Sequence, residues 1–410
     1  MKRQRVLSAY SPEIESEQES WILSILRQEG ALSRAELASR TGLSRSALEA
    51  RLKWLEDRCL IEEVGPGTSS GGRRPMLLRF AKDSGYVVAV DLGATSVDVA
   101  VTNLNAEIMI HLYEETDVCR GPEPVLAQIR GLIENGIAQA GIDRSQVKGI
   151  GMGIPGPVEF RSGTPVSPPI MPGWDRFPLR QYFEDGFGWP VFVDNDVNIM
   201  ALGERWAGLG QRVDNFFFVK IGTGIGCGII CRGQIYRGAD GCAGDIGHIA
   251  VVNSDVVCRC GNAGCLEAVA GGAALGRVLE QAVKSGRYPL VSDLPARKDC
   301  FTAADLGTLL ERGDPFAVDL VRRAGSTIGL ALAGLVNFYN PSLVVIGGGV
   351  SKLGYLLLAS VREGIYHRSL PLATRNLIIQ KSALGDDAGV TGAAAMVLGE
   401  LFRLTPVASS

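Results

Sequence analysis

The chain has 410 residues, of which 46% are hydrophobic and 21% are charged, with 41 Lys and Arg against 44 Asp and Glu. This composition excludes wholesale disorder, and the length predicts two to three domains. The 52 glycines follow no three-residue period, which excludes collagen, and no apolar run is long enough to cross a bilayer. Acidic residues follow the basic start where a signal peptide needs an apolar stretch, so we predict a cytoplasmic protein with no membrane partner.

Residues 20–63 have the pattern of three helices. Ser33 and Glu36 form a capping box that opens a short second helix, and Ser44 is an N-cap for a third helix from Arg45 to Arg58. Two short helices joined by a glycine-containing turn make a helix-turn-helix, whose second helix enters the major groove of DNA. The candidate DNA-binding residues of this helix are Ser44, Arg45, Ser46, Glu49 and Lys53.

The segment 65–75 is rich in Gly, Ser and Pro and is flanked by apolar pairs, which is typical of a hairpin wing. Its Arg73 and Arg74 are placed to reach phosphates or the minor groove. We therefore predict a winged helix-turn-helix domain over residues 1–81. A small helical bundle followed by a flexible basic linker is the alternative that this pattern leaves open.

Two strand-turn-strand patterns occur in the remaining chain. The first has strands 86–91 and 97–103 around the turn 91–96, and the second has the glycine-rich turn 222–228 between strands 216–221 and 229–231. Such turns can place backbone N–H groups on a phosphate, with the carboxylate of Asp91 near its metal ion. A third glycine run, 347–349, follows a buried strand. We predict a duplicated α/β fold with a nucleotide cleft, although a single glycine-rich turn often only solves a backbone problem.

The segment 193–198 ends a strand and opens a helix predicted over Ile199–Ala207. The carboxylate of Asp196 at this junction can deprotonate a hydroxyl, while Asn195 holds a neighbouring group. An N-cap with solvated acidic residues explains the same pattern, and the sequence alone does not separate the two interpretations.

Three cysteines and one histidine have the spacing of a metal site. Cys258, Cys260 and Cys265 supply three sulfur ligands within eight residues, and His248 lies ten residues before them. Three thiolates and one imidazole make a closed tetrahedral Zn²⁺ site, structural because no position remains for water. The loop has little apolar content, so the metal would be its main source of order. Buried, inert thiols are the alternative.

These motifs together resemble the transcriptional-regulator branch of the ROK family of repressors, open reading frames and kinases. The resemblance is carried by the winged helix-turn-helix domain of residues 1–81, called the head below, and by Asp91–Thr95, Gly153–Pro157 and Asn195-Asp196. It is also carried by the specific Cys-x-Cys-Gly-x-x-Gly-Cys-x-Glu motif that ends at Glu267. It implies an actin/hexokinase-like ATPase-fold body with a central cleft after the winged head. We place its first subdomain at 86–205 and its second, with the zinc loop, at 206–385, and expect a C-terminal helix of about 386–403 to pack on the first.

The resemblance also assigns roles to individual residues. His248 would bind zinc through one ring nitrogen and approach a sugar hydroxyl with the other. The residues implied to bind the sugar are Gly156, Asn195, Asp196, Asp245, His248 and Glu267, with Asp196 in the position of a kinase's catalytic base. The residues that match the family's nucleotide-binding elements are Asp91, Gly93, Thr95, Gly222, Thr223, Gly224, Gly226, Gly347 and Gly348.

Two positions depart from the family pattern. Asp245 stands where the family usually has Glu, and Ile170 stands where it frequently has Asn. The shorter carboxylate of Asp245 reaches a sugar hydroxyl less well unless the backbone or a water compensates. Both changes bear on which sugar is bound, and the first disfavours efficient catalysis.

The leading hypothesis is a repressor whose affinity for double-stranded operator DNA is set by a sugar or sugar phosphate, with structural zinc. An ATP-dependent sugar kinase using Mg²⁺, or a bifunctional kinase-regulator, is the alternative, because the phosphate-binding motifs are retained. A regulator controlled by a partner protein is a third hypothesis. The head favours the first, because a free-standing kinase has no use for it. Palindromic operators require two heads, so we expect a homodimer or homotetramer.

Overall fold

The structure is a computed structural model that describes residues 14, 17–67, 74–251, 254–286 and 301–403. Three helices open it: α1 (Glu17–Glu29), α2 (Arg34–Thr41) and α3 (Arg45–Glu56). The predicted capping box is confirmed, since the Ser33 side chain accepts from the backbone N–H of Glu36 while the Glu36 carboxylate accepts from that of Ser33. Gly42 ends α2 with a left-handed φ of 66°. The turn between α2 and α3 is therefore fixed by the residues that the sequence indicates.

A three-stranded sheet completes the head. Its strands are β1 (Leu32–Ser33), β2 (Ile61–Pro66) and β3 (Met76–Phe80), in the order β1-β3-β2. The pairing of β2 with β3 is antiparallel, as expected of a wing, whereas the short β1 is too brief to be recognised from sequence. Arg73 lies outside the described residues, and Arg74 precedes β3.

The first compact unit joins the head to a five-stranded sheet and the C-terminal helix. The sheet has the order β10-β7-β4-β5-β6, from β4 (Tyr86–Leu92), β5 (Ser96–Asn103), β6 (Ile108–Glu115), β7 (Val147–Ile154) and β10 (Val191–Asn195). A two-stranded ribbon is made by β8 (Val158–Glu159) and β9 (Thr164–Pro165). The helices are α4 (Pro122–Ala140), α5 (Leu179–Phe187) and α6 (Asp196–Ala207), with single turns of 3-10 helix at Val118–Arg120 and Arg144–Gln146.

The second unit contains residues 168–170 and 207–388 and has its own five-stranded sheet. The order is β13-β12-β11-β14-β15, from β11 (Phe216–Ile221), β12 (Ile225–Cys231), β13 (Gln234–Ile235), β14 (Leu343–Gly347) and β15 (Ile378–Lys381). Its helices are α7 (Leu266–Ala270), α8 (Gly272–Ser285), α9 (Ala303–Glu311), α10 (Pro315–Tyr339), α11 (Tyr355–Arg368) and α12 (Pro371–Thr374). Turns of 3-10 helix lie at Ile246–His248, Gly349–Leu353 and Gly385–Asp387.

The last helix, α13 (Ala388–Phe402), is almost entirely buried and belongs to the first unit from Gly389 onwards. It shares one hydrophobic core with the head and the first sheet, to which Leu26, Leu52 and Val397 contribute. The head is therefore packed onto the first unit rather than attached only by the chain. No helix among the described residues is long and apolar enough to span a membrane.

Two predicted boundaries are wrong. β12 begins at Ile225, so Gly226 pairs with Lys220 inside a strand, and the turn contains only residues 222–224. The ladder continues to a pair between Ile221 and Ile225, which leaves room for only three turn residues. Helix α6 begins at Asp196 rather than at Ile199, because Asn195 already caps it by accepting from the N–H of Val197 at 3.0 Å.

Candidate functional site

The third helix of the head presents a polar face. Arg45, Ser46, Glu49 and Lys53 are exposed, while Leu48, Leu52 and Leu55 on the other face are buried. Ser44 caps the helix, with its Oγ accepting from the N–H of Ala47 at 3.3 Å. This arrangement leaves the first turns of the helix open to a groove of DNA.

Arg34, the first residue of α2, contacts three carboxylates of the head. Its guanidinium lies 3.5 Å from Glu49, 3.0 Å from Glu56 and 3.0 Å from Glu63. Glu49 and Glu56 belong to the third helix and Glu63 to the wing strand β2, so one cation links these two elements of the head. The sequence did not reveal Arg34, because its partners are distant along the chain.

In the first unit, the candidate sugar residues meet at the end of β10. The Asn195 amide donates to the carbonyl oxygen of Gly156 at 3.0 Å, which fixes the loop that carries Gly156. Asp196 is 5% exposed, so it is not a solvated acidic residue as the alternative interpretation required. Asp194, which sequence analysis missed, is also buried and accepts from the N–H of Asn195 at 2.7 Å and from the Asn198 side chain at 2.8 Å. Asp194 therefore orients Asn195 at the end of β10 and Asn198 in the first turn of α6.

The first predicted phosphate turn is tightly closed. The N–H of Gly93 donates to the carbonyl oxygen of Ser96 at 2.8 Å, and the carbonyl oxygen of Thr95 accepts from Thr116 at 3.0 Å. The carboxylate of Asp91 is buried against the first turn of α13, so closely that a Cβ on Gly389 would collide with it. A carboxylate at a helix N-terminus is favoured by the helix dipole. Asp91 therefore has a structural role at the start of α13.

In the second unit, the four predicted metal ligands converge. The ligand atoms of His248, Cys258, Cys260 and Cys265 all lie within 4.8 Å of one another. The Sγ atoms of Cys260 and Cys265 are 3.7 Å apart, and Cys258 Sγ is 3.7 Å from Nδ1 of His248. Because Nδ1 faces the sulfurs, Nε2 is the nitrogen left for another partner. The four residues are thus arranged as a set of ligands that could hold a metal ion.

The thiols differ in their acid–base chemistry. Burial raises the pKa of Cys258 to about 12 and also raises the pKa of Cys265. A hydrogen bond from the backbone N–H of Asn262 lowers the pKa of Cys260 to about 7. Without a cation, two of the three thiols therefore resist ionisation, whereas a bound metal ion favours the thiolate form of all three.

Glu267 lies beside the metal site. Its Oε1 is 3.4 Å from Cys258 Sγ, and a Cβ on Gly224 would stand 2.5 Å from its Oε2. The glycine in the 222–224 turn therefore makes room for the Glu267 carboxylate. Asp245 is exposed at the start of the 246–248 turn, after Gly244, whose φ of +105° and contact with the Cys227 carbonyl admit no side chain.

The carbonyl groups of the 222–224 turn contact the next helix. The N–H groups of Gly272 and Ala273 donate to the carbonyl oxygens of Gly222 and Thr223 at 2.7 and 3.1 Å. These bonds satisfy two of the N–H groups that open α8. Gly347 ends β14, and Gly348 adopts a φ of +83° where the chain enters a 3-10 turn.

A cavity of about 70 Å³ lies between this turn and the metal loop. Its lining includes Ile170, one of the two departures from the family pattern, together with Glu267. Two arginines, Arg259 and Arg277, also line it. The candidate residues therefore form two groups. Gly156, Asn195 and Asp196 lie together in the first unit, and His248 and Glu267 lie together beside the cysteines in the second.

A DNA-binding head packed on an α/β body defines the class of a DNA-binding regulatory protein. The model of the ROK family matches residues 87–400, and a winged helix-turn-helix DNA-binding model matches residues 22–59. The first match covers more than half of the chain, and the chain therefore belongs to the ROK family, in its transcriptional-regulator branch.

Relatives with known names span both branches of the family. The xylose repressor of Caldicellulosiruptor bescii is 33% identical over 384 residues, covering 93% of this chain and 95% of that protein. The crystal structure of a ROK family transcriptional regulator, a homologue of the E. coli MLC protein, has a TM-score of 0.79 at 27% identity and covers 94% of this chain and 96% of its own. A Streptomyces griseus ROK glucokinase solved with glucose and AMPPNP has a TM-score of 0.68 at 30% identity, covering 76% of this chain and 99% of its own.

Proposed function

We propose that the chain is a sugar-responsive transcriptional repressor of carbohydrate genes. The observation that carries this function is the capped third helix, with its exposed polar face, on a chain whose residues 87–400 match the ROK family model. Relatives that match over almost the whole chain are named a xylose repressor and an N-acetylglucosamine repressor. A repressor acts where its DNA is found, so we place the protein in the cytoplasm.

Arg45, Ser46, Glu49 and Lys53 read the bases, with Ser44 at the start of the helix and Arg73 and Arg74 on phosphates. Arg suits guanine, and Glu accepts from the N4 amino group of cytosine. The exposed pair of Glu49 with Arg34 has a 3.5 Å separation, and such pairs contribute little to stability. Glu49 can therefore exchange this partner for a base at small cost.

The effector is a sugar or sugar phosphate that contacts Gly156, Asn195, Asp196, Asp245, His248 and Glu267. The geometry of His248 supports its role, because Nδ1 faces the cysteines and Nε2 remains for a hydroxyl group. The shorter Asp245 and the apolar Ile170 distinguish this effector site from the family pattern. A sugar that binds only the folded state raises the melting temperature, so a thermal-shift screen of sugars and sugar phosphates identifies it.

The metal is structural zinc. With Zn–S bonds of about 2.3 Å, a tetrahedron places two sulfurs roughly 3.8 Å apart. Cys260 and Cys265 are 3.7 Å apart, which fits this geometry without rearrangement. Among the described residues, the small hydrophobic cluster at the metal loop has only three buried members, Cys258, Cys265 and Ala268 of α7, so the ion supplies most of the order of the loop.

The decisive experiment removes the head. The full chain should bind a duplex selected from random DNA and release it when the sugar found in the thermal-shift screen is added. A variant lacking residues 1–80 should lose DNA binding, and a sugar-dependent rise in its melting temperature serves as the check that the body still folds without the core residues of the head. Unchanged DNA binding by this variant contradicts the proposed function.

An ATP-dependent sugar kinase is the second candidate. The observation in its favour is the buried Asp196 at the start of α6, where a general base of a kinase would lie. Nucleotide would then use Asp91, Gly93 and Thr95, the glycines of the 222–226 segment with Thr223, and Gly347 with Gly348. Sustained release of ADP with Mg²⁺, ATP and sugar would establish this activity.

The functional form is a homodimer or homotetramer, because a palindromic operator needs two heads. Phe338 is 88% exposed and Leu372 is 78% exposed, on α10 and α12 of the second unit. A second copy of the chain would bury this apolar surface. Phe338→Asp should lower the mass measured by light scattering, whereas Tyr113→Asp, at a 62% exposed residue of β6, should not. Equal masses for both variants would place the interface elsewhere.

A further inference from the structure

Helix α6 connects the candidate sugar residues to the head. It begins at Asp196 and carries Trp206 one residue before its end at Ala207. Ten residues at 1.5 Å per residue separate these two side chains by roughly 15 Å along the helix axis. Helix α6 therefore begins at the candidate sugar residue Asp196 and ends at a contact with α1, the first helix of the head.

Trp206 contacts the head directly. The guanidinium of Arg27, on α1, stacks over the Trp206 ring at 3.8 Å from the centroid. The indole N–H of Trp206 donates to the carbonyl oxygen of Asn105 at 3.0 Å, and Arg27 reaches the Asn105 side chain at 3.5 Å. Trp206 is only 4% exposed. Burial, together with nearby Arg205, lowers the pKa of Arg27 to about 10, as expected of a guanidinium withdrawn from water.

Helix α6 has little freedom to move by itself. A Cβ on Gly392 would collide with the carbonyl of Ile199, so the backbones of α13 and α6 are in direct contact. At the end of α13, the carbonyl oxygen of Arg403 accepts from Ser20 Oγ on α1 at 2.6 Å. A displacement of α6 would therefore reach α1 by two routes, because packed interiors deform little. One route is the contact of Trp206 with Arg27, and the other runs through α13 to the hydrogen bond between Arg403 and Ser20.

We propose that Arg27 and Trp206 are positioning residues that couple the effector site to the DNA-binding head through helix α6. The inference rests on the proposed function, because it assumes that Asn195 and Asp196 contact the effector. Coupling between two binding sites is reciprocal, so DNA bound to the head must also change the affinity for the sugar of the effector residues at the start of α6. Neither Arg27 nor Trp206 is among the residues that we propose to read bases or to contact the sugar.

Arg27→Gln tests the contact, and the chain contains a matched control. Arg58 stacks over Trp54 at the same 3.8 Å, but both residues belong to the head. Arg58→Gln removes a cation–π contact of the same length, at an exposed arginine, without touching α6. Arg27→Lys keeps a cation over the Trp206 ring and should preserve most of the coupling, which separates the role of the charge from a general loss of folding.

The first measurement is hydrogen exchange with a duplex selected from random DNA and no sugar. DNA should slow exchange at residues 191–206 in wild type, Arg27→Lys and Arg58→Gln, but not in Arg27→Gln, with DNA affinity conserved within about threefold. Slowing in Arg27→Gln equal to that in wild type, or no slowing in wild type, overturns the inference. If Arg27→Gln unfolds, Arg27→Lys is compared with wild type instead. Unequal DNA-dependent slowing of exchange in Arg27→Lys and wild type then overturns the inference.

The second measurement separates this inference from the proposed function. DNA affinity is compared with and without D-xylose, D-glucose and N-acetylglucosamine, each also as its phosphate ester. Wild type should lose DNA affinity by roughly 5-fold or more with the correct sugar, a usual size for such coupling, and Arg27→Gln should lose far less while binding the sugar equally well. If no sugar affects wild type while DNA still slows exchange at 191–206, the effector assignment fails and the coupling through α6 stands.

Discussion

Glycine-to-alanine substitutions at two helical positions of the first unit should have opposite effects on stability. One position, Gly392, lies where α13 contacts α6, and the other, Gly131, has no close neighbour. At Gly392 a Cβ would collide with the backbone of Ile199 and stand 2.7 Å from the nitrogen of Gly203. At Gly131, in the interior of α4, a Cβ would have no atom within 4 Å. Only the surroundings of the added methyl group differ between the two positions.

Replacing glycine by alanine inside a helix raises the free energy of unfolding by about 1 kcal/mol, because alanine has the higher helix propensity. Overpacking costs about 1–3 kcal/mol or more, and the upper end applies where two backbones must separate. Gly392→Ala should therefore lower the free energy of unfolding by about 2 kcal/mol, and Gly131→Ala should raise it by about 1 kcal/mol. For a unit of this size, the melting temperature should fall by roughly 4–8 °C and rise by roughly 2–4 °C, respectively.

Urea denaturation followed by far-UV circular dichroism, together with thermal melting, measures both changes. A Gly392→Ala variant that melts at or above the wild-type temperature would refute the close approach of the two helices. Failure of Gly131→Ala to stabilise the protein would instead mean that alanine is not favoured over glycine at this position of α4.

Three further predictions follow from the metal site and the head. Wild type should contain one zinc per chain, and Cys258→Ser/Cys265→Ser should contain almost none by elemental analysis, so full occupancy in that variant would refute the ligand assignment. Arg45→Ala should relax base preference at one operator position at a cost of about 1–3 kcal/mol, whereas Arg74→Ala should weaken all duplexes similarly and reduce the salt dependence of binding measured by titration. Ser33→Ala, which removes the capping box of α2, should destabilise the protein by about 1 kcal/mol in urea, and an unchanged midpoint would argue against that cap.

Local signals in the sequence predict local structure well. The capping box of Ser33 and Glu36 and the N-cap Ser44 are confirmed, because caps depend on residues three positions apart. The four predicted metal ligands also converge, since three of them lie within eight residues of one loop. The boundaries are less well predicted. Gly226 is in a strand because the ladder with β11 extends further than the spacing of the glycines indicates.

Features that depend on tertiary packing are not visible in the sequence. The stacking of Arg27 on Trp206 joins residues that are far apart in the chain, and no local pattern marks either of them. The buried Asp194 resembles any acidic residue at a strand end, until the structure places it on Asn195 and Asn198. In the same way, the glycine at 389 is explained only by the carboxylate of Asp91 beside it.

The last prediction separates sensing from catalysis at Asp196, and Glu267 provides the comparison. A residue that only binds contributes equally to the ground state and the transition state, so Glu267→Gln should weaken sugar affinity and operator release together. A general base contributes about 10²–10⁴-fold to the chemical step and little to binding. For a sensor, Asp196→Asn keeps the shape of the buried side chain, so sugar binding should change by only a modest factor and operator release should persist.

The assays are sugar titration by calorimetry, operator binding, and release of ADP with Mg²⁺, ATP and the sugar identified by the thermal-shift screen. Wild type should show no phosphorylation above background, because a sensor needs only two conformations with unequal ligand affinity. Asp245→Glu should tighten sugar binding, since the longer side chain restores the reach that the family pattern provides. Sustained turnover by wild type that Asp196→Asn abolishes with binding intact would defeat the sensor hypothesis, because only a group that acts in the transition state separates rate from affinity in this way.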